Sequence, residues 1–214
     1  MEQEVETFFA SRDSDDLLLL YFSGHGVREN SRLLLGCRGT TKFMEGPERG
    51  KVRKSTAVRA EDVQRYMESS RSRRQLLILD CCYSAAFVEG MGAKGDGAIG
   101  LEETFGGRGR AVLTSSDSIE TSMAPESGDD LSVYTRFLVE GIRTGSADRD
   151  QRGFIDAEDL HTYVSRRVAE AAPTMSPQFF PTREGHRIVV CQVRRDPRVA
   201  YRQEVEKRAG IGVG

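Results

Sequence analysis

Apolar residues along this chain gather in short continuous runs, separated by segments of helical spacing and by polar or glycine-rich stretches. LLLLYF (17–22), QLLILD (75–80) and RAVLTSS (110–116) do not alternate, which suits strands covered on both faces of a parallel sheet. RLLLG (32–36) predicts a further short strand and HRIVVCQV (186–193) a last one. Helical spacing places Val5, Phe8 and Phe9 on one face over residues 2–10, and Val63, Tyr66 and Met67 on one face over 59–70. Helices are also predicted over 132–142 and 157–171, and YSAAFVEG (83–90) reads as the start of another. Residues 37–58 read as a polar loop, 90–109 as a mobile glycine-rich loop, and 194–214 as a charged, then glycine-rich tail or linker. Strands alternating with helices predict an α/β fold: a three-layer sandwich with a mostly parallel central sheet, in one domain of residues 1–193.

Composition narrows the partners more than the fold. The 214 residues suffice for one substantial core. A formal charge of −2, from 31 basic and 33 acidic side chains, gives no pull toward nucleic acid or a membrane surface. No stretch approaches the ~20 apolar residues of a membrane helix, and MEQEVETFF lacks the basic start of a signal peptide. The expected location is therefore the cytoplasm. Cys37, Cys81, Cys82 and Cys191 have no CxxC spacing, and there is no His-x3-His, so neither a disulfide framework nor a zinc site is expected.

Three of the predicted strands run directly into small and reactive residues. The first leads to Ser23-Gly24-His25-Gly26, the second to Asp80-Cys81-Cys82-Tyr83-Ser84, the third to Asp117. Sites in open parallel sheets form beyond the carboxyl ends of the strands, so a histidine, a cysteine and two acids are expected at one edge. A cysteine taken alone is more often a small buried hydrophobe. Paired with a histidine on a neighbouring strand end, it suggests a thiolate nucleophile with an imidazole as acid and base. Backbone N–H groups of Gly26 and of the cysteine itself are candidates for an oxyanion hole.

These motifs resemble those of the caspase-like cysteine peptidases, especially the metacaspases and their bacterial relatives. YFSGHG and LILDCCYS look like the family's histidine and cysteine motifs, and their separation is close to the roughly 50 residues expected. VLTSSD and SVYTRFLVEGI are similar to later parts of bacterial members. The resemblance makes Cys82 the nucleophile and His25 its partner, with Cys81 packed on the opposite side. It also implies cleavage of protein or peptide substrates after arginine or lysine. Asp80 takes the place where true caspases carry a glutamine that helps bind a substrate aspartate. Ser23 matches a pocket serine, and Asp117 is a candidate further pocket acid.

The same resemblance implies a strand-helix-strand unit ahead of residue 1, so the expected fold is N-terminally truncated. Strand 17–22 would then carry an unpaired edge, a template for a homodimer. Calcium is the one metal the resemblance brings in. In metacaspases it is held at an acidic site that does not map onto this sequence. A separate stretch, DRDQRGFIDAED (148–159), is similar to an EF-hand loop, with Asp148, Asp150, Gly153 and Asp156 in register. Arg152 stands where a ligand is wanted, and Asp159 replaces the bidentate glutamate. The simpler reading is a tight turn with Asp156 capping the next helix. His161 and His186 read as structural. Basic clusters at 49–54 and 71–74, and Lys94, are either solvated loop residues or self-cleavage sites.

Overall fold

The computed structural model describes residues 1–29, 32–84, 86–87, 109–115 and 131–193. Its elements are, in chain order, α1 (Glu2–Phe9), β1 (Leu17–Ser23), β2 (Gly26–Glu29), β3 (Arg32–Leu35), β4 (Val58–Arg59), α2 (Ala60–Ser69), β5 (Arg74–Asp80) and β6 (Gly109–Thr114). Then follow α3 (Val133–Thr144), β7 (Phe154–Asp156), α4 (Ala157–Ala171), β8 (Gln178–Thr182) and β9 (Val189–Gln192).

The central sheet has the order β1-β5-β6-β8, with the first three strands parallel and β8 antiparallel. Its middle strand shows why the apolar run does not alternate. Leu77 and Leu79 of β5 join Phe9, Val63, Met67 and Val112 in one core. Leu76 and Ile78 point the other way, into a second core with Leu113, Tyr134, Phe137, Leu160 and Val164. Both faces of β5 are dry, α1 and α2 on one side and α3 and α4 on the other. The fold is the expected three-layer α/β sandwich.

Two further small sheets complete it. A three-stranded sheet, β2-β3-β4, extends from the end of β1. β7 and β9 form a separate antiparallel pair. Here one expectation is corrected. HRIVVCQV is not a continuous strand of the central sheet: Gly185–Arg187 form a 3-10 turn, and only Val189–Gln192 are extended, pairing with β7. The central sheet's fourth strand is instead β8, whose sequence QFFPT contains Pro181. Proline removes a ladder donor and is tolerated on an edge strand, so its presence masked the strand.

The polar 37–58 segment is also more ordered than a loop. Lys42 and Val52 form a bridge, and Phe43 exchanges backbone hydrogen bonds with Gly50 and Lys51 at 2.8 and 2.9 Å. β1, although apolar throughout, is an edge strand among the described residues, with β5 as its partner in the sheet. Leu19 and Tyr21 on its outer face are 38% and 39% exposed. The predicted helix after the cysteines is seen only as helical Ala86 and Phe87. Residues 88–108, with Lys94, Asp117 and the 194–214 tail all lie outside the described residues.

Candidate active site

The parallel register of β1 and β5 sets the site. Ser23 is paired with Asp80, the last residue of each strand, and the Gly24 N–H donates to the Asp80 carbonyl at 3.2 Å. Beyond these positions the two chains diverge, one into Gly24-His25-Gly26 and the other into Cys81-Cys82-Tyr83. They remain in contact. A methyl group built on Gly26 would sit 2.1 Å from the Cys82 carbonyl oxygen and 3.2 Å from the Cys81 sulfur. Only glycine allows the histidine loop to lie so close to the cysteine turn.

The backbone around His25 is held by β3. The Gly36 N–H donates to the His25 carbonyl at 2.8 Å, making these two a hydrogen-bonded pair of the antiparallel ladder. Hydrogen-bonded and open pairs alternate in such ladders. The next pair, Gly26 with Leu35, is therefore an open one, and the Gly26 N–H points away from β3. His25 itself is exposed and Cys82 is half-buried.

The two cysteines differ as neighbours at the end of a strand should. Cys81 is 1% exposed and belongs to the core shared with α1 and α2. Burial, then the negative charges of Asp80 and Cys82, push its thiol up to about 12. Such a thiol is protonated and inert at any physiological pH. After Cys82, Tyr83 adopts φ of +57°, a left-handed conformation uncommon for a non-glycine residue. This bend carries the chain from strand to helix, where the Ala86 N–H donates to the Tyr83 carbonyl at 2.9 Å. Buried Gln64 of α2 fixes the far end by donating to the Phe87 carbonyl at 2.5 Å.

Asp80 is 2% exposed, and its two oxygens are treated differently. Oδ2 accepts from the hydroxyls of Ser132 and Thr135, the latter at 2.5 Å. Oδ1 is buried without a hydrogen-bond partner among the described residues. Ser132 is also the N-cap of α3, accepting from the Thr135 N–H at 3.0 Å. The Tyr21 hydroxyl, on the outer face of β1, lies 2.6 Å from the Thr135 hydroxyl. Fully buried Tyr134 has its hydroxyl held protonated, by burial first and then by the charge of Asp80. Sequence reasoning did not find Ser132, Thr135 or Tyr21. Their only signal was Ser132 as a capping residue before a helical pattern.

The EF-hand-like stretch is closed by its own side chains. Asp148 accepts from the backbone N–H groups of Arg152 and Gly153 at 2.7 and 2.8 Å. The Arg152 guanidinium pairs with Asp156 at 2.8 Å and with Asp159. Asp156 caps α4, and Asp159 returns the bond in a reciprocal capping box. A guanidinium stands among the carboxylates that calcium would need, so this donor set does not fit a calcium ion. His161 stacks on Phe179, and His186 lies in the 3-10 turn beside the Arg183 carbonyl.

In this mostly parallel α/β sandwich the histidine loop lies against the cysteine turn at the strand ends, an arrangement in keeping with a caspase-like domain. The caspase domain model of the C14 peptidases matches residues 1–189, and the chain belongs to that family. No curated protein matches it. Among the described residues, no helix is long and apolar enough to cross a membrane.

Proposed function

We propose that this chain is a cysteine endopeptidase that cleaves after arginine or lysine, with Cys82 as nucleophile and His25 as acid and base. The observation that carries this reading is the contact of Gly26 with the Cys82 carbonyl, which seats the two motif residues on touching loops. The Cys82 sulfur, deprotonated by His25, attacks the scissile carbonyl carbon. Negative charge then develops on the carbonyl oxygen, and the N–H groups of Gly26 and Cys82 receive it. The tetrahedral intermediate collapses as His25 protonates the departing amine, leaving a thioester at Cys82. Water, deprotonated by His25, releases the new carboxyl terminus.

Substrate choice falls to Asp80. A buried carboxylate with one oxygen unpartnered suits a cationic side chain and repels an acidic one. Ser23, its register partner on β1, flanks the same cation, and Asp117 is the further pocket acid in this reading. Self-processing would use basic residues of this chain. A reducing compartment such as the cytoplasm suits the free thiols.

The deciding experiment is intact-mass measurement after incubation with an arginyl chloromethyl ketone at pH 8, beside a fluorogenic peptide assay. One adduct is expected on Cys82 and none on Cys81. Cys82→Ala should abolish cleavage, whereas Cys81→Ala should keep at least about a tenth of it. Comparable losses in both variants would refute the assignment. No adduct and no cleavage would favour the rival reading, a caspase-fold interaction module without catalysis.

The bare edge of β1 adds an expectation about assembly. Backbone groups of β1 with no strand partner among the described residues, beside exposed Leu19 and Tyr21, favour pairing with a second copy. Light scattering after size exclusion should report concentration-dependent dimers of the 214-residue chain. A monodisperse monomer at every concentration would count against this interface.

A further inference from the structure

A carboxylate only accepts hydrogen bonds, and each of its oxygens offers about two lone-pair sites. Oδ2 of Asp80 receives two hydroxyl protons, one from Ser132 and one from Thr135, so its accepting capacity is filled. The directions of the surrounding bonds follow. Thr135 has a single hydroxyl proton and gives it to Asp80, so the bond with Tyr21 must run from the tyrosine to Thr135. Ser132 likewise spends its proton on Asp80 and accepts from the Thr135 N–H. Every member of this clamp is satisfied except Oδ1, which is buried and has no partner among the described residues.

We propose that Ser132 and Thr135 are specificity-setting positioning residues: they occupy Oδ2 of Asp80 and leave only Oδ1 to a bound cation. The inference rests on the reading of Asp80 as the basic-residue pocket and gives that pocket a finer rule. A guanidinium gains most from a carboxylate by a two-pronged fork that needs both oxygens. With one oxygen available the fork is lost. A lysine ammonium is a point charge with rotatable donors and loses nothing by pairing with a single oxygen. The pocket therefore reads positive charge rather than guanidinium shape, and arginine and lysine are accepted at comparable efficiency. Removing either hydroxyl frees a lone-pair site on Oδ2 and restores the fork.

The test compares kcat/KM on peptides that differ only in arginine or lysine before the cleaved bond. In the wild-type enzyme the ratio should lie within about tenfold. Thr135→Val and, independently, Ser132→Gly should raise the arginine-to-lysine ratio at least threefold, through KM rather than kcat. Thr135→Ser, which keeps the hydroxyl, should return the wild-type ratio. A general structural lesion would lower both substrates together and leave the ratio unmoved, and that result overturns the proposal. A wild-type readout needs neither catalysis nor a folded variant: butylguanidinium and pentylammonium ions as thermal-shift ligands. Equal shifts within a few-fold in affinity support the single-oxygen pocket. Butylguanidinium binding thirtyfold tighter overturns it while leaving the Asp80 pocket intact. Absence of binding by both cations, with no cleavage after arginine or lysine, overturns the underlying reading as well.

Discussion

Two groups of carboxylates in this fold meet opposite treatment. Around Arg152, the acids Asp156 and Asp159 are paired with a cation from their own loop, and Asp148 with backbone N–H groups. At the end of β5, Asp80 is more deeply buried, yet among the described residues its partners are two neutral hydroxyls and one of its oxygens has none. A buried charge left short of a partner costs folding free energy unless something else repays it. The first group is closed on itself and serves the chain's own geometry. The second is held open, in contact with the same backbone that carries the histidine and cysteine motifs. In the proposed reading, the charge left unanswered at the strand end is the one that meets a ligand, and the charge gathered at ligand-like spacing is not.

Removing the charge of Asp80 tests this contrast most severely. Asp80→Asn keeps the side-chain shape and the contacts to Ser132 and Thr135 but offers no charge to a substrate cation. Cleavage after arginine and lysine should fall at least about thirtyfold in kcat/KM, the ~2 kcal/mol scale of losing one partner of a buried charge pair. The melting temperature should hold or rise, because an uncompensated buried charge has been removed. A variant that melts lower yet cuts arginine peptides as before would move Asp80 into the structural group and erase the distinction.

The sequence carried different parts of this picture to different depths. The β5 run and the α4 pattern were legible because burial on both faces and helical periodicity are local properties. Predicted residues 157–171 coincide with the helix observed. The cap at Asp156 was legible for the same reason, although its reciprocal partner Asp159 was not. β8 was not legible, because Pro181 argues against a strand unless the strand is known to lie at an edge. The last strand was legible over Val189–Gln192, but its pairing with β7 was not, since no local pattern encodes that choice. At the candidate site, the histidine and cysteine motifs stood out as strand-end residues. The clamp on Asp80 did not, since Ser132 and Thr135 lie 52 and 55 positions further along. Only the packing of α3 over the sheet brings them there.

The closed group gives the gentlest test, and its sign is opposite to that of Asp80. Burial by itself would raise the Asp156 carboxyl, but the Asp159 N–H and the Arg152 guanidinium outweigh it and hold it below the usual range. A carboxyl depressed in the folded state stabilises above its unfolded value, near 3.9, and that contribution disappears as pH falls through the folded one. Asp156→Ala should therefore lower stability by about 0.5–2 kcal/mol at pH 7, the range for losing a helix cap. The gap from wild type should begin to narrow as pH drops below about 4, where the unfolded chain's carboxyl takes up its proton first, and close only below the depressed native value. Asp156→Asn, which can still cap, should recover most of the loss at pH 7. Urea unfolding at pH 7 and pH 3 measures all of this. The peptide assay should meanwhile record an unchanged arginine-to-lysine ratio, because this loop contributes nothing to the proposed pocket. A shift of that ratio in Asp156→Ala would mean that the two groups of carboxylates are coupled through α3 and α4, whose packing joins them.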